Sequence, residues 1–199
     1  MLRLETRYGK DITPFIPEVA AIRIRGFRAF PYLYEGTLDY EQKYLTMYTT
    51  EPRAMLIRVL DGDRVAAVAT ATPLQCNCDI VADAPVLMRR AGFAPESFFY
   101  YAEIVVLPEY RGRGIAPMIY AERLEAARRF GFTNLCLASV VRADDHPLRP
   151  RDYKPAERVW IKDGFEPTNV GFTYDWPTIQ PDGSVRDEAN PMQFWVRPC

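Results

Sequence analysis

Histidine is almost absent from this chain of 199 residues, in which His146 is the single example. Cysteine is also scarce. Cys76 and Cys78 are separated by one residue, which differs from the Cys-x-x-Cys spacing typical of zinc and redox sites. The other two cysteines, Cys136 and Cys199, stand apart in the sequence. We therefore expect no metal site.

Long apolar runs and net charge are missing as well. No run approaches the roughly 20 residues that a membrane span requires, and the N-terminal stretch with Arg3, Glu5 and Arg7 lacks the apolar core of a signal peptide. The formal net charge of −1 gives no general attraction to nucleic acid or to an anionic membrane. We expect a cytoplasmic protein in which any anion-binding site is local.

The chain does have enough apolar residues for one ordinary domain over residues 1–199, with 48% hydrophobic and 26% charged residues. Periodicity and turn signals predict both strands and helices. The strands are expected near 1–8, 53–60, 64–71, 98–107, 132–141, 170–176 and 192–197, and the helices near 11–27, 38–48, 116–130 and 155–163. Residues 73–98 are predicted to be an insertion between the third and fourth strands, either a functional flap or a plain surface insertion. Residues 177–190 are predicted to be a loop between the last two strands.

The most informative unit is a strand, a loop, a helix and a second strand, an order that predicts two parallel strands joined by a crossover. The loop reads PEYRGRGIAP. A glycine-rich turn that opens a helix suits a phosphate group, because the first helical N–H groups have no partners within the helix. Gly112 and Gly114 would let the backbone approach the ligand, and Arg111 and Arg113 would add positive charge.

Two nucleotide-binding alternatives fit this loop poorly. A dinucleotide fold requires Gly-x-Gly-x-x-Gly directly after the strand, whereas four residues intervene here and Pro117 occupies the third glycine position. A P-loop requires a lysine and then a serine or threonine after the last glycine, and neither follows Gly114. A dinucleotide-binding protein is kept as a third hypothesis.

The stretch Arg111-Gly-Arg-Gly-Ile-Ala116 resembles the (Q/R)xxGx(G/A) acetyl-CoA signature of the GNAT acyltransferase superfamily. A second segment is similar to that family's A-x-x-L-Y-x-x-x-G-F pattern, and it is carried by Ala156, Val159, Trp160, Gly164 and Phe165. The stretches YAEIVVLPEYRGRGIA, DDHPLRPRDYKP and PMQFWVRP resemble a bacterial group of that superfamily whose substrates are unassigned.

The resemblance implies an α+β (mixed α/β) protein with the three-layer GNAT fold, in which helices flank a V-shaped, mixed and mostly antiparallel sheet. It also implies acetyl-CoA as co-substrate. The pantetheine arm would pair with the backbone of Ile104, Val105 and Val106 between the splayed fourth and fifth strands. The pyrophosphate would bind the N–H groups of residues 112–116, which include Ile115 and Ala116, beside Arg111 and Arg113.

For the chemistry, Glu103 is the first candidate for the base. Strand alternation predicts that it shares a cleft-facing side with Tyr101, Val105 and Leu107. The alternative is a carboxylate held for structural reasons. A backbone N–H near Val105 or Val106 would polarise the thioester carbonyl.

The general acid is the point at which the sequence departs from the family pattern. Trp160 stands where relatives often have a tyrosine, and an indole cannot supply the proton. Tyr153 is the candidate replacement, with packing as its alternative. His146 is a weaker candidate, and protonation of the leaving group by water remains open.

The acceptor is expected from the side covered by the first two helices and residues 177–190. Tyr32 and Tyr34 would wall an amine site, and the acids Asp182, Asp187 and Glu188 would attract its charge. Core packing and solvation are the alternative roles of these residues.

The resulting hypothesis is an acetyl-CoA-dependent N-acetyltransferase that acts on a primary amine of a small molecule or a protein by direct transfer. Cys136 is a theoretical acyl acceptor, but a buried strand cysteine is usually inert. The alternative function is an acyl-CoA-binding sensor or interaction module without turnover, which Trp160 motivates. Nucleic acid and membranes are not expected as partners, and a homodimer is compatible with the sequence.

Overall fold

The structure, a computed structural model, describes residues 1–76 and 82–199. In this described part, seven strands form one sheet in the order β1-β2-β3-β4-β5-β7-β6. The strands are β1 (Leu2–Tyr8), β2 (Met55–Asp61), β3 (Arg64–Pro73), β4 (Phe98–Val106), β5 (Asn134–Val140), β6 (Glu166–Ile179) and β7 (Val185–Pro198). All neighbours are antiparallel except β4 and β5. The predicted mixed, mostly antiparallel sheet is confirmed.

Helices cover both faces of the sheet. They are α1 (Ile16–Phe27), α2 (Leu38–Thr46), α3 (Ala84–Arg90), α4 (Ile115–Arg129) and α5 (Glu157–Lys162). One hydrophobic core lies between the sheet and helices α1 to α3, and the other lies under α4 and α5. The result is the expected three-layer arrangement. Over residues 1–76 and 82–199, no helix is both long and apolar enough to cross a membrane.

The sheet opens between its two parallel strands. β4 and β5 pair only over Phe98–Tyr100 and Asn134–Cys136. Beyond these residues β4 continues against β3 as far as Val106, and β5 continues against β7 as far as Val140. Each strand therefore follows a different neighbour, which produces the predicted V-shaped opening.

A β-bulge interrupts the pairing of β3 with β4. Glu103 pairs with Thr70, and the register skips Ala102 before Tyr101. Tyr101 and Leu107 consequently pack in the core beneath α4, whereas Glu103 reaches towards α1 on the opposite face. The prediction from strict alternation holds for Val105, which packs against α1 on the side of Glu103. It is wrong for Tyr101, because the bulge adds one residue between Tyr101 and Glu103, and for Leu107, because β4 ends at Val106.

Residues 177–190 are mostly strand rather than the predicted loop. β6 and β7 remain paired up to Ile179, and only residues 180–184 connect them. Pro177 had indicated a loop, but β6 is an edge strand, where a missing N–H is tolerated. The hairpin is also tied to the chain after α1, because the Ile179 N–H donates to the carbonyl of Leu33 at 2.7 Å.

The segment 73–98 contains α3 and a short 3₁₀ turn before β4. Ala84 and Met88 of α3 are buried in the core beside α1 and α2, which anchors this part of the segment. Cys78 lies outside the described residues. The role of the segment as a flap stays a prediction.

Helix α1 approaches β4 closely at Gly26. A Cβ atom at this position would lie 2.3 Å from Cγ1 of Val105. We expect Gly26→Ala to lower the free energy of unfolding by about 1–3 kcal/mol through overpacking, despite the better helix propensity of alanine. Urea denaturation measures this change. Adding Val105→Ala should make the double variant more stable than the sum of the single changes predicts, and strictly additive losses would contradict the close contact.

Candidate active site

The loop between β4 and α4 is built as an anion-binding turn. Gly112 and Gly114 have φ values of 77° and 76°, the left-handed region that glycine adopts readily. No side chain in the described part of the chain caps the first turn of α4. A Cβ atom on either glycine would meet nothing within 4 Å, so there is room beside the backbone. The first N–H groups of α4 are therefore available to an anion.

The two arginines of the loop flank this turn and are exposed. Arg111 donates from Nε to the carbonyl oxygen of Val106 at 3.2 Å. The guanidinium of Arg113 lies 4.9 Å from the centre of the Tyr110 ring and 3.8 Å from a carboxylate oxygen of Asp61. Both cations lie next to the glycines, where they favour a negatively charged ligand.

The end of β4 offers backbone hydrogen-bonding groups to the opening in the sheet. Ile104, Val105 and Val106 pair with β3 along one edge. Over the described residues, β5 pairs with β4 only before these positions, so their other edge faces the opening. Alternate N–H and C=O groups on this edge have the geometry to bind an extended ligand as an added strand.

A cavity of about 330 Å³ lies between α1, α2 and the β6–β7 hairpin. Its inner end is formed by Ala102 of β4 and Ala138 of β5. These residues follow the last paired positions of the two strands, Tyr100 and Cys136, so the cavity reaches the opening of the V. The described part of segment 73–98 contributes no residue to the lining.

Aromatic rings form most of the cavity wall. The eight aromatic lining residues are Phe27, Tyr32, Tyr34, Tyr40, Tyr44, Tyr100, Tyr174 and Trp176. The hydroxyl groups of Tyr40 and Tyr174 hydrogen bond to each other at 2.8 Å, which links α2 to the hairpin. The structure thus places Tyr32 and Tyr34 in one wall, as the sequence analysis expected. Such a wall suits a ligand that is both apolar and cationic.

The charged groups of the wall are mainly negative. The five lining carboxylates belong to Glu35, Glu41, Glu103, Asp175 and Asp187, and the one guanidinium in the described lining belongs to Arg23. Among the three acids proposed from the sequence, Asp187 lines the cavity. Asp182 and Glu188 do not. The cavity therefore favours a positively charged ligand.

Arg23 is the centre of a buried ion-pair cluster. Its Nε atom donates to Oε2 of Glu41 and its Nη1 atom donates to Oε1 of Glu103. Its guanidinium lies between the rings of Phe27 and Tyr44, at 5.0 and 4.6 Å. Burial acts to lower the pKa of Arg23, but Tyr44 and Glu41 outweigh it and hold the pKa above its ordinary value. With both carboxylates ionised, the cluster carries one excess negative charge.

The two carboxylates of this cluster differ in their remaining contacts. Oε2 of Glu103 accepts hydrogen bonds from the hydroxyl of Tyr48, at 2.9 Å, and from the hydroxyl of Thr70. Oε1 of Glu41 has no hydrogen-bond partner of normal geometry in the described chain. Burial and then the neighbouring carboxylate of Glu41 raise the pKa of Tyr34, so the Tyr34 hydroxyl lies close to Glu41. Glu103 is thus held by three donors, whereas Oε1 of Glu41 is a buried acceptor without a donor of normal geometry in the described chain.

Arg23 and Glu41 were missed in the sequence analysis, although a signal was present. Each occupies a position on the buried face of an amphipathic helix. Arg23 follows Ile16, Val19 and Ala20 at helical spacing, and Glu41 is followed by Tyr44, Leu45 and Tyr48. A fully buried ionisable residue requires a partner, so a charge on such a face indicates an internal ion pair.

The sequence model of the Acetyltransferase (GNAT) family matches residues 21–150. The chain belongs to this family. This match includes the second half of α1 and the whole of α2, β4, the glycine turn and α4. A search of curated proteins gave no match.

Solved GNAT structures share this fold at low sequence identity. The chain is similar to an IAA acetyltransferase from Bacillus cereus ATCC 14579, with 12% identity, a TM-score of 0.58 and 100% of both chains covered. It is also similar to the ribosomal-protein-S18-alanine N-acetyltransferase from Escherichia coli, with 14% identity, a TM-score of 0.58, and 100% of this chain and 94% of the other covered. A GCN5-related N-acetyltransferase from Kribbella flavida has 18% identity and a TM-score of 0.58, with 98% of each chain covered.

Two candidates for proton transfer lie outside the lining of the GNAT cavity. Tyr153 packs the edge of its ring on Phe30 at 4.7 Å, and burial raises its pKa. His146 also packs on Phe30, at 5.5 Å, and its Nδ1 atom accepts a hydrogen bond from the N–H of Leu148 at 3.2 Å. Burial and then Arg142 lower the pKa of His146. These contacts favour packing and turn formation for both residues.

Trp160 stands where the GNAT pattern has a tyrosine. It lies on the buried side of α5, and its ring packs on that of Trp195 with 5.4 Å between the ring centres. Burial raises the pKa of Tyr120 on α4, while Arg123 and then Trp160 act to lower it, so the Tyr120 hydroxyl lies near the indole. A tyrosine hydroxyl is therefore close to position 160 even though residue 160 is not a tyrosine. Burial likewise raises the pKa of the Cys136 thiol well above its ordinary value, which disfavours an acyl-cysteine route.

Proposed function

We propose that the protein is an acetyl-CoA-dependent N-acetyltransferase that transfers the acetyl group directly to a primary amine. One observation carries this proposal: the acidic aromatic cavity and the open backbone edge of β4 meet at the same opening between β4 and β5. An acceptor and a thioester bound on these two surfaces would meet there. Family membership supports acetyl transfer in general, and the negative lining supports an amine as the acceptor.

Residues of β4 and of the turn that follows it would hold the co-substrate. The backbone of Ile104, Val105 and Val106 would bind the pantetheine arm, and the N–H groups from Gly112 to Ala116 would bind the pyrophosphate, with Arg111 and Arg113 beside it. Acetyl-CoA supplies the activated acetyl group. A backbone N–H of Val105 or Val106 would polarise its carbonyl.

The Arg23 cluster would receive the proton of the amine. A new bond forms between the amine nitrogen and the acetyl carbon, the bond from that carbon to sulfur breaks, and the amine loses one proton. We assign the transfer of that proton to the carboxylates of Glu41 and Glu103, whose excess negative charge attracts the ammonium form first. The Oε1 atom of Glu41, which lacks a donor of normal geometry, favours this residue as the acceptor, and Glu103 stays the alternative.

Tyr120 is our candidate for the group that returns a proton to the leaving thiolate. It is buried, and its hydroxyl lies near the indole of Trp160. This arrangement supports a proton donor on α4 in place of a tyrosine at position 160. Tyr153, which sequence reasoning favoured, remains a second candidate on the loop before α5.

Thermal unfolding with and without acetyl-CoA tests the first step. A ligand at one hundred times its dissociation constant adds about 2.7 kcal/mol to the stability of the folded state. We therefore expect acetyl-CoA to raise the melting temperature and NADH to leave it unchanged. Release of free thiol with a panel of primary amines then measures transfer. Stabilisation without thiol release would favour the sensor hypothesis, and no stabilisation at millimolar acetyl-CoA would refute the proposed function.

A further inference from the structure

The cavity holds two separate groups of carboxylates. The inner group is the pair of Glu41 and Glu103, both buried and joined through Arg23. The outer group consists of Asp175 on β6 and Asp187 on β7, both exposed. Asp187 lies opposite Pro177 in the pairing of β6 with β7, and Pro177 is two residues after Asp175. The two outer acids are therefore close together on one hairpin.

The outer acids have no salt-bridge partner in the part of the chain that the structure describes. Glu35, the remaining acid of the lining, differs because it pairs with Arg28. Two uncompensated carboxylates at the mouth of a cavity repel each other and attract a cation. The inner cluster attracts a second cation because one guanidinium serves two carboxylates and the buried Oε1 of Glu41 lacks a donor of normal geometry.

Aromatic side chains line the same cavity as the two acidic groups. They include Tyr32 and Tyr34 from the chain after α1 and Tyr174 and Trp176 from β6. Aromatic faces pack against methylene groups and also attract ammonium groups. A ligand that matches an inner and an outer acidic group in one aromatic cavity has a cation at each end and an apolar chain between them.

We propose that the acceptor is a small alkyl diamine. One of its amino groups approaches Glu41 at the inner end, and its other ammonium group stays at the mouth beside Asp175 and Asp187. This inference rests on the proposed function, since it names the acceptor of the same transfer. One amine nitrogen takes the acetyl group from the sulfur of acetyl-CoA and loses a proton, and the products are the mono-N-acetyl diamine and the thiol of CoA.

Thiol-release kinetics with 1,5-diaminopentane and 1-aminopentane test the inference. The two amines share a chain length and differ in the second amino group. We expect kcat/KM for the diamine to exceed that for the monoamine by about fivefold or more, the effect of a partly exposed ion pair. In the double variant Asp175→Asn/Asp187→Asn the ratio should fall towards two, the statistical factor for the two equivalent amino groups of the diamine. The matched control Glu188→Gln removes a charge from the same strand outside the lining, and it should keep the wild-type ratio.

Equal kcat/KM values for the two amines in the wild-type protein would overturn the inference, as would a ratio that survives in the double variant. A short peptide that is a better acceptor than the diamine would also overturn it. These outcomes leave the proposed function intact, because transfer to some amine is still observed. The proposed function fails in a different way, with neither thiol release nor stabilisation by acetyl-CoA.

Discussion

Arg23→Met should lower the free energy of unfolding by about 3–5 kcal/mol at neutral pH, because it leaves two carboxylates buried without their cation. The side chains of Glu41 and Glu103 are almost fully buried, and both depend on this guanidinium. Methionine has a similar length and no charge, so the change tests charge rather than volume. Urea denaturation followed by circular dichroism measures the loss.

A second substitution separates unpaired charge from poor packing. In the double variant Arg23→Met/Glu41→Gln one of the two carboxylates is neutral, so this variant should be more stable than the sum of the two single changes predicts. A packing defect at position 23 would give additive losses. The matched control is Arg25→Met on the exposed face of α1, where the pair with Glu109 is solvated and about 0.5 kcal/mol or less is expected. A loss at Arg23 no larger than at Arg25 would contradict the buried cluster.

Glu41→Gln should reduce kcat/KM for the amine by about 100-fold to 1,000-fold, the usual contribution of a general base. Glutamine has nearly the same shape but cannot accept the proton. We also expect the acidic limb of the pH–rate profile to disappear in this variant, because the group that must be deprotonated for activity is gone. Stabilisation by acetyl-CoA should be retained, since Glu41 lies in the acceptor cavity.

Glu103→Gln is the comparison that assigns the base. If Glu41 accepts the proton, the Glu103 variant keeps the acidic limb of the pH–rate profile. Its kcat/KM can still fall, because the substitution alters the ion pair with Arg23. If the limb is lost only in the Glu103 variant, Glu103 is the base and the assignment to Glu41 is wrong. The control Glu166→Gln changes an exposed carboxylate on β6 outside the cavity, and we expect wild-type activity from it.

The two catalytic candidates illustrate how far local patterns reach. Glu103 could be singled out from its strand alone, but its face could not, because the bulge at Ala102 depends on how β3 pairs with β4. Tyr153 was chosen as the replacement for the tyrosine missing at position 160, and the structure packs it on Phe30 outside the cavity lining. Predicting either contact requires knowledge of a segment distant in the sequence.

The hairpin formed by β6 and β7 also depends on contacts with segments that are distant in the sequence. Pro177 and the polar residues after it indicate a loop locally, yet hydrogen bonds between the strands and to the chain near Leu33 extend both strands. This extension positions Asp175 and Asp187 at the mouth of the cavity. The acceptor site therefore depends on pairing energies that no window of the sequence contains.

The sequence by itself determined the features that depend on short-range spacing. These are the glycine turn with Gly112 and Gly114, the amphipathic helix α4 that follows it, and the strand–helix–strand order that makes β4 and β5 parallel. Only the tertiary structure decided the buried cluster of Arg23, Glu41 and Glu103. Its members come from α1, α2 and β4, and an ion pair forms between them because folding removes all three from water in one place.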